Sequence, residues 1–226
     1  MKSDPVYKKV RKLIDERELN DEYLDDAFDL LSSKIEHTPD CAWAYGLLAE
    51  IYYWFGETSE AEDKLPNYEE GVSYGEKGVA VDGASLEANF WLAVNYGSFG
   101  QEKGIMKSLA LVNPMKACAE RALEQEESYF YGGPWRVLGR LYHKAPGFPF
   151  SIGNTKKAKD CLKKALELGP KFYLNHLFMA DLLISLGDRD RGREHLEWII
   201  NAPLSKNHER EDGITKRDAE AMLRRI

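Results

Sequence analysis

Two arginines one helical turn apart offer the clearest chemistry in this chain of 226 residues. Arg136 and Arg140 are four residues apart, so in a helix they share a face. Each guanidinium group can hold a carboxylate through two parallel hydrogen bonds. This pair indicates binding of an acidic group on a partner. The alternative is that the arginines pair with acids of the chain itself, namely Glu50, Glu87 or Asp181.

Aromatic and polar residues at equivalent positions of other helices complete the candidate site. An aromatic wall beside two arginines suits an extended peptide, or an amphiphile with an acidic head. The full set of predicted residues for binding a partner or ligand is Glu50, Tyr53, Trp54, Phe90, Asn95, Arg136, Arg140, His143 and Asp181.

The sequence lacks the motifs of catalysis and of metal binding. It contains no His-Glu-x-x-His, no Cys-x-x-Cys and no Gly-x-Ser-x-Gly. The five histidines are scattered without the spacing of metal ligands, and Cys41, Cys118 and Cys161 lie far apart. We therefore predict that the protein is not an enzyme and has no catalytic residues, no metal and no cofactor.

A recurring order of bulky and small residues predicts the elements that position these side chains. It is clearest in one copy, which consists of Trp135, Leu138, Gly139, Tyr142, Ala158, Leu162, Ala165 and Pro170. This order resembles the tetratricopeptide (TPR) repeat, in which two helices, A and B, form a hairpin. In an earlier copy Gly71, Gly75 and Gly78 share one face of helix B, which predicts either the least stable helix of the chain or unusually close contact with a neighbouring helix.

These repeats predict an all-α protein. The expected architecture is a right-handed α-solenoid of TPR-like helical hairpins with insertions between helices A and B. We predict a single solenoid over 1–226, in which Met1–Leu19 covers one end. Its parts are N-terminal helices in 1–40, repeats in 41–83, 84–127, 128–170 and 171–204, and a capping helix in 205–226.

Three segments between helix A and helix B exceed the length of a standard repeat, namely 57–67, 101–113 and 145–154. Because repeats stack in register, we expect all three at one edge of the solenoid. The first segment is acidic, the second is mostly apolar and could extend a helix, and the third is rigid and aromatic. Such segments often carry recognition. The alternative is that they lengthen helices or shield the edge.

Composition and charge exclude several classes of function. A net charge of −7 and an isoelectric point near 5.4 argue against general nucleic-acid binding. No apolar stretch approaches the roughly 18 residues that a membrane span needs. The start of the chain, Met1–Pro5, lacks an apolar signal region, which predicts a cytoplasmic protein. If the chain is a processed mature form, a periplasmic location is the alternative.

The run from Tyr131 to Gly139, followed by Pro146, Pro149 and Gly153, resembles the T-component family of TRAP transporters. Phe90–Ala93 and the Asn175–His176 pair are also similar to that family. The resemblance implies a helical-repeat solenoid, usually a bacterial envelope lipoprotein, that works beside the substrate-binding protein of a transporter and handles hydrophobic ligands. The chain departs from the family in showing no lipobox. The eukaryotic microtubule-regulator proteins resemble it more distantly.

We therefore predict a binding scaffold for a protein or peptide partner, with the substrate-binding protein of a TRAP-type transporter as the partner that the resemblance implies. The alternative is a carrier of a small hydrophobic or amphiphilic ligand in a pore or groove of the solenoid. We expect no nucleic-acid partner and no transmembrane segment.

Overall fold

A computed structural model describes residues 3–226; Met1 and Lys2, at the start of the predicted cover Met1–Leu19, lie outside the described residues. Within this range the chain forms eleven helices and no strand, which confirms the prediction of an all-α fold. The helices are α1 (Pro5–Asp15), α2 (Tyr23–His37), α3 (Ala42–Thr58), α4 (Ala61–Val81), α5 (Leu86–Lys103), α6 (Ile105–Gln125), α7 (Tyr129–Lys144), α8 (Thr155–Leu168), α9 (Tyr173–Ser185), α10 (Arg189–Asn201) and α11 (Glu209–Leu223).

None of the described helices combines the length and the apolar character that crossing a bilayer requires.

The helices divide into two compact units, Met1–Glu126 and Glu127–Ile226. Unit 1 contains α1 to α6, and unit 2 contains α7 to α11. Consecutive helices pair within each unit, as in TPR hairpins: α3 with α4, α5 with α6, α7 with α8, and α9 with α10. The single solenoid over 1–226 stays a prediction.

In unit 1 the small residues of α4 allow α5 to approach closely. A Cβ atom on Gly75 would lie 2.8 Å from Leu92 Cβ, and one on Gly78 would lie 2.8 Å from Ala88 Cβ. A Cβ atom on Gly71 would run into the side-chain amide of Asn95. The close packing that the three glycines predict is therefore confirmed.

The predicted insertions take two forms. The segments 57–67 and 101–113 mostly extend α4 and α6, which are both 21 residues long. These two segments therefore lengthen helices, which is part of the alternative to a role in recognition. The segment 145–154 remains a loop between α7 and α8, closed by a bridge between Gly147 and Gly153.

In unit 2, helix α11 covers the last hairpin. Its Ala219 packs into a buried cluster with Leu177, Leu196 and Ile199 of α9 and α10. Lys216 Nζ also donates a hydrogen bond of 2.9 Å to the carbonyl of Ile200, near the end of α10. A helix that buries the last apolar flank is what a repeat protein requires at its end.

Candidate functional site

The face of α3 and α5 that the sequence assigns to partner binding is covered by α1. Arg11 forms a double hydrogen bond with Glu50 of α3, with Nη1–Oε2 at 2.5 Å and Nη2–Oε1 at 2.6 Å. One turn earlier, the Tyr7 hydroxyl donates to Glu87 Oε1 of α5 at 2.8 Å. The Tyr7 ring also meets Trp43 edge to face, with 5.2 Å between centroids. These contacts place α1 along the face itself.

The sequence of α1 explains why this helix lies there. Tyr7, Val10 and Ile14 share one side of the helix at positions i, i+3 and i+7, and all three are buried. Asp4 caps the helix by accepting a hydrogen bond of 2.8 Å from the amide of Val6. Asp4 also pairs with Lys34 of α2 at 3.1 Å, which ties the start of α1 to its neighbour. The apolar side and the cap together fix α1 against unit 1.

The two acids of this face have different surroundings, although both are fully buried. Glu50 accepts both hydrogen bonds from Arg11 and a longer one of 3.4 Å from Trp54 Nε1. Glu87 accepts from Tyr7 through Oε1, while its buried Oε2 has no hydrogen-bond partner among the described residues. Burial raises the pKa of Glu87, despite the opposing hydrogen bond from Tyr7 and the positive charge of Arg11. Glu87 is thus the incompletely satisfied acid of the pair.

The aromatic residues predicted to form a wall lie inside unit 1. The Trp54 ring is buried beneath the guanidinium group of Arg17, which lies 3.5 Å from its centroid. Phe90 is also buried and meets Trp91 edge to face at 5.0 Å. Tyr53 is only partly buried, with its ring centroid 5.5 Å from that of Trp91. These rings therefore contribute mainly to the core of the unit.

Asn95 joins α5 to α3. Its buried side-chain amide donates hydrogen bonds of 2.9 Å to the carbonyls of Ala49 and Trp91. Glu50, Trp54, Phe90 and Asn95 are thus interior residues of unit 1. A role for them in binding stays a prediction, and it would require α1 or the core to move.

Arg136, the first of the two arginines in unit 2, supports an unusual stretch of backbone. Phe130, Tyr131 and Gly132 at the start of α7 adopt left-handed conformations, with φ of 46°, 60° and 74°. Arg136 Nη1 donates to the carbonyl of Phe130 at 3.3 Å and to Asn175 Oδ1 at 3.1 Å. Asn175 in turn donates to the carbonyl of Tyr131 at 3.0 Å. These bonds satisfy carbonyl groups that a regular helix would pair internally.

Arg136 is also buried, with 5 % of its surface exposed, and its guanidinium group lies 4.5 Å from the centroid of the Phe172 ring. These contacts indicate that Arg136 stabilises the left-handed backbone at the start of α7.

Arg140, by contrast, belongs to a half-exposed group of side chains. Arg140 and Lys144 of α7 both bind Asp181 of α9: Arg140 through Nη1, and Lys144 through Nζ at 2.6 Å. His143 lies beside them, with Nδ1 4.0 Å from Asp181 Oδ2 and Nε2 3.2 Å from the hydroxyl of Ser185. We call Arg140, His143, Lys144 and Asp181 the basic cluster. Two permanent cations surround one anion in it.

Burial and charge set the protonation states of the basic cluster. Burial raises the pKa of Asp181, but the hydrogen bonds from Lys144 and Arg140 outweigh it and lower the pKa overall, so this carboxylate stays ionised. Burial and the charge of Lys144 lower the pKa of His143 to about 4, so this imidazole is neutral at pH 7. The cluster therefore carries one net positive charge, although the chain as a whole is acidic.

His176 and His195 form a pair with a structural role. His176 Nε2 lies 2.9 Å from the carbonyl of Pro170, and His176 Nδ1 lies 3.0 Å from His195 Nδ1. Because a carbonyl only accepts, His176 carries its proton on Nε2, and His195 donates to its Nδ1. The His176 ring also stacks on Trp198 at 3.7 Å. Burial lowers the pKa of His176 to about 4, so the pair is neutral at pH 7.

Of the nine residues predicted from the sequence, three meet in one cluster, Arg140, His143 and Asp181, in which the His143 side chain is only 9 % exposed. The pairing of Arg140 with Asp181 is the intrachain alternative that the sequence left open. Sequence reasoning missed that Tyr7 and Arg11 would cover the face of unit 1. The spacing of Tyr7, Val10 and Ile14 was the available signal, since it predicts a helix that must bury one side.

Solved structures share this fold at low sequence identity. A thermophilic TPR protein of Thermus thermophilus has a TM-score of 0.66 and 16 % identity, over 96 % of this chain and 99 % of its own. PilF of Pseudomonas aeruginosa has a TM-score of 0.57 and 18 % identity, over 98 % and 93 %. A fragment of MamA from Desulfovibrio magneticus has a TM-score of 0.52 and 14 % identity, over 86 % and 93 %. These likenesses establish a TPR-like fold.

No curated protein sequence is significantly similar to this chain. Two family descriptions do match it: "Regulator of microtubule dynamics protein 1-3" over residues 6–144 and "TRAP transporter T-component" over residues 80–226. The two matches overlap over residues 80–144, and each spans more than half of the chain. The chain therefore belongs to both families, the TRAP transporter T-components and the regulators of microtubule dynamics, and it has a TPR-like fold.

Proposed function

We propose that the protein is a non-enzymatic TPR-like scaffold that binds an acidic segment of a protein partner through the basic cluster of unit 2. The observation that carries this proposal is the excess of positive charge on a half-exposed face. Side chains of Arg140 and Lys144 are 30 % and 49 % exposed, and they share one acid, Asp181. TPR-like folds are generally interaction modules, which supports a binding role.

The chemistry of Arg140 fits a carboxylate ligand. A guanidinium group has five N–H donors in a rigid fork, and Asp181 takes a hydrogen bond from Nη1. The group also lies 4.4 Å from the centroid of the Phe178 ring, which holds its plane in place. A carboxylate of a partner could therefore bind beside Asp181 without displacing it.

Family membership supports a partner among the components of a TRAP-type transporter. We propose its substrate-binding protein, which would present an acidic segment to unit 2. An interaction of this kind depends on charge, so its affinity should fall as the salt concentration rises.

The direct test uses a fluorescently labelled glutamate-rich peptide and a matched glutamine-rich peptide, with binding followed by anisotropy. We expect the protein to bind the first and not the second. The double variant Arg140→Glu/Lys144→Glu should lose this binding and keep its helical circular dichroism spectrum. The control variant Lys163→Glu/Lys164→Glu makes the same change of charge on exposed positions of α8 and should bind normally.

Equal loss of binding in both variants would show that only overall charge matters and would refute the proposed site. The same pair of variants should then be compared with the purified substrate-binding protein of a TRAP transporter from the same organism. If that protein binds wild type and the Arg140 variant equally, the basic cluster is not its docking site.

A further inference from the structure

Two connections between helix A and helix B carry exposed apolar side chains at their tips. Phe148 and Phe150, between α7 and α8, are 93 % and 86 % exposed. Ile105 and Met106, the first two residues of α6 after the linking residue Gly104, are 80 % and 82 % exposed. The next most exposed large apolar side chain of the described residues, Leu19, is 53 % exposed. Four apolar side chains held this far into water need a reason.

The loop that carries the phenylalanines is held by its own backbone. The amide of Gly153 donates to the carbonyl of Pro146 at 2.8 Å, and the amide of Asn154 donates to the carbonyl of Tyr142 at 2.9 Å. At Gly153 a Cβ atom would collide with the carbonyl of Ala145, so the two ends of the loop approach as closely as only glycine allows. Because both ends are fixed, the phenylalanines cannot easily fold back onto unit 2.

Lysines surround both tips, and acids are missing from the same segments. Residues 145–159 contain Lys156, Lys157 and Lys159 and no Asp or Glu, and Asp160 follows them. Residues 103–115 contain Lys103 and Lys107 and no Asp or Glu, and Glu102 precedes them. In a chain with a net charge of −7, these are local regions of positive charge.

The equivalent connection of the first repeat has the opposite character. Residues 57–67 contain four acids, Glu57, Glu60, Glu62 and Asp63, and a single lysine, Lys64. The one large apolar side chain of this segment, Leu65, is only partly exposed. The combination of an apolar tip with basic flanks is therefore a property of particular connections and not of the repeat.

We propose that two connections, 104–107 in unit 1 and 145–154 in unit 2, each bind an anionic lipid surface by themselves. The apolar tips enter the boundary between headgroups and acyl chains, and the flanking lysines lie against the negative headgroups. A bilayer suits these features better than a protein partner does. Lysine is depleted in protein interfaces and apolar residues there form one continuous patch, whereas here each tip is a pair of side chains among lysines.

The first test measures flotation of the full chain with vesicles of equal parts phosphatidylserine and phosphatidylcholine, and with vesicles of phosphatidylcholine alone. We expect binding to the mixed vesicles, weakened by salt. The variants Phe148→Ser/Phe150→Ser and Ile105→Ser/Met106→Ser should each bind about tenfold more weakly, because each removes the apolar part of one tip. Lys156→Glu/Lys157→Glu should weaken binding by about tenfold or more.

The matched control is Val81→Ser/Leu204→Ser, which removes two large apolar side chains that are 40 % and 45 % exposed and lie outside both connections. It should bind as wild type does. The proposal is overturned if wild type does not float with the mixed vesicles, if the tip variants bind as tightly as wild type, or if the control loses as much binding as they do. The basic cluster residue Lys144 is unchanged in every variant, so failure here leaves the proposed function standing.

A second test measures how deeply the loop at 145–154 enters the lipid surface, and it replaces only one of the two phenylalanines. An environment-sensitive fluorophore is attached to Phe150→Cys and, as a control, to Glu60→Cys in the acidic connection. The native Cys41, Cys118 and Cys161 are buried, and burial raises the pKa of each thiol, so labelling should favour the introduced cysteine. The label at 150 should shift to the blue with mixed vesicles, and the label at 60 should not. Equal responses at both positions contradict the proposal.

Discussion

Charged side chains lie on corresponding helix faces of the two units. The two units stabilise these charges in different ways. In unit 1 the acids Glu50 and Glu87 are fully buried, and α1 supplies Arg11 and Tyr7 to hydrogen-bond them. In unit 2 the carboxylate of Asp181 stays partly exposed and faces two cations of α7. Position in the repeat therefore does not decide whether a residue is accessible. Its accessibility depends on whether another helix covers the face.

The energetic consequences differ as well. A buried carboxylate is expensive to leave without its cation, whereas an ion pair in contact with water contributes little. The face of unit 1 contributes to stability, whereas the cations of unit 2 stay partly exposed, and we propose that they bind a ligand. Changes at equivalent positions should therefore affect stability in unit 1 and binding in unit 2.

The largest expected effect is in unit 1. Glu50→Ala removes the buried carboxylate that pairs with Arg11, whose remaining carboxylate contact, Asp15, is exposed, and should lower the free energy of unfolding by about 3–5 kcal/mol. The measurement is urea denaturation followed by circular dichroism. Asp181→Ala in unit 2 is the comparison, and it should cost less than about 1 kcal/mol because its ion pairs are solvated. Similar losses in the two variants would abolish the distinction between the faces.

The second effect is a response to acid in unit 2. The folded chain keeps His176 neutral down to about pH 4, whereas the unfolded chain takes up a proton below its ordinary pKa of 6.5. His176 should therefore lower the free energy of unfolding by about 3 kcal/mol as the pH drops from 6.5 to 4, because each unit of pKa shift is worth about 1.4 kcal/mol. His143, whose pKa is also lowered to about 4, should add a loss of its own over the same range. Denaturation at a series of pH values measures it. Asp181 adds its own loss only at still lower pH, because its pKa is lowered from 3.8.

His176→Gln separates this effect from general acid sensitivity. Glutamine can still donate to the carbonyl of Pro170 but does not titrate, so the loss between pH 6.5 and pH 4 should become smaller by about 3 kcal/mol, while the part due to His143 remains. A variant with the same slope as wild type would show that other groups cause the acid response.

These comparisons also show how far the sequence alone could lead. The spacing of Leu138, Gly139 and Tyr142 predicts the helical hairpins, because packing of small against large residues is local to the repeat. Contacts between helices that are far apart in sequence could not be predicted from the repeat pattern. The bond from Arg11 to Glu50 joins residues 39 positions apart, and no repeat pattern encodes it.

The same limit applies to the candidate site. Arg136 and Arg140 have the same residue type and share a helix face, so the sequence treats them alike. Only the left-handed backbone of Phe130 and Tyr131 separates their roles, because it turns carbonyl groups toward Arg136. Such backbone conformations are unusual for residues other than glycine, and the propensities of Phe and Tyr give no indication of them.

The two arginines provide the third prediction. Arg136→Ala removes the donor to the turn at Phe130 and should lower the free energy of unfolding by about 2 kcal/mol, since buried acceptors lose a charged partner. Arg140→Ala should cost less than about 1 kcal/mol and instead weaken binding of the acidic peptide. Thermal denaturation and anisotropy measure the two quantities on the same samples. If Arg136→Ala is as stable as wild type, another group supports the turn.

The smallest expected effect is the change in the stability of unit 1 with pH, which has the opposite sign to that in unit 2. The pKa of Glu87 is raised from 4.5 by burial, so as the pH falls the folded chain takes up this proton before the unfolded chain does. Unit 1 should therefore gain stability from Glu87 as the pH falls toward 4.5, whereas unit 2 loses stability over the same range because of His176. As the pH falls, the contribution of Glu87 should stabilise unit 1, whereas that of His176 should destabilise unit 2.

Glu87→Gln tests this, because glutamine keeps an oxygen for the Tyr7 hydroxyl and carries no charge. At pH 7 the variant should be as stable as wild type or slightly more stable, since it no longer buries a charge beside an oxygen without a partner. Near pH 5 this advantage should shrink, because wild-type Glu87 is then neutral in a larger fraction of molecules. A variant that is less stable by the same amount at both pH values would show instead that Tyr7 and Arg11 require an ionised carboxylate at this position, and that unit 1 holds two charged acids under α1.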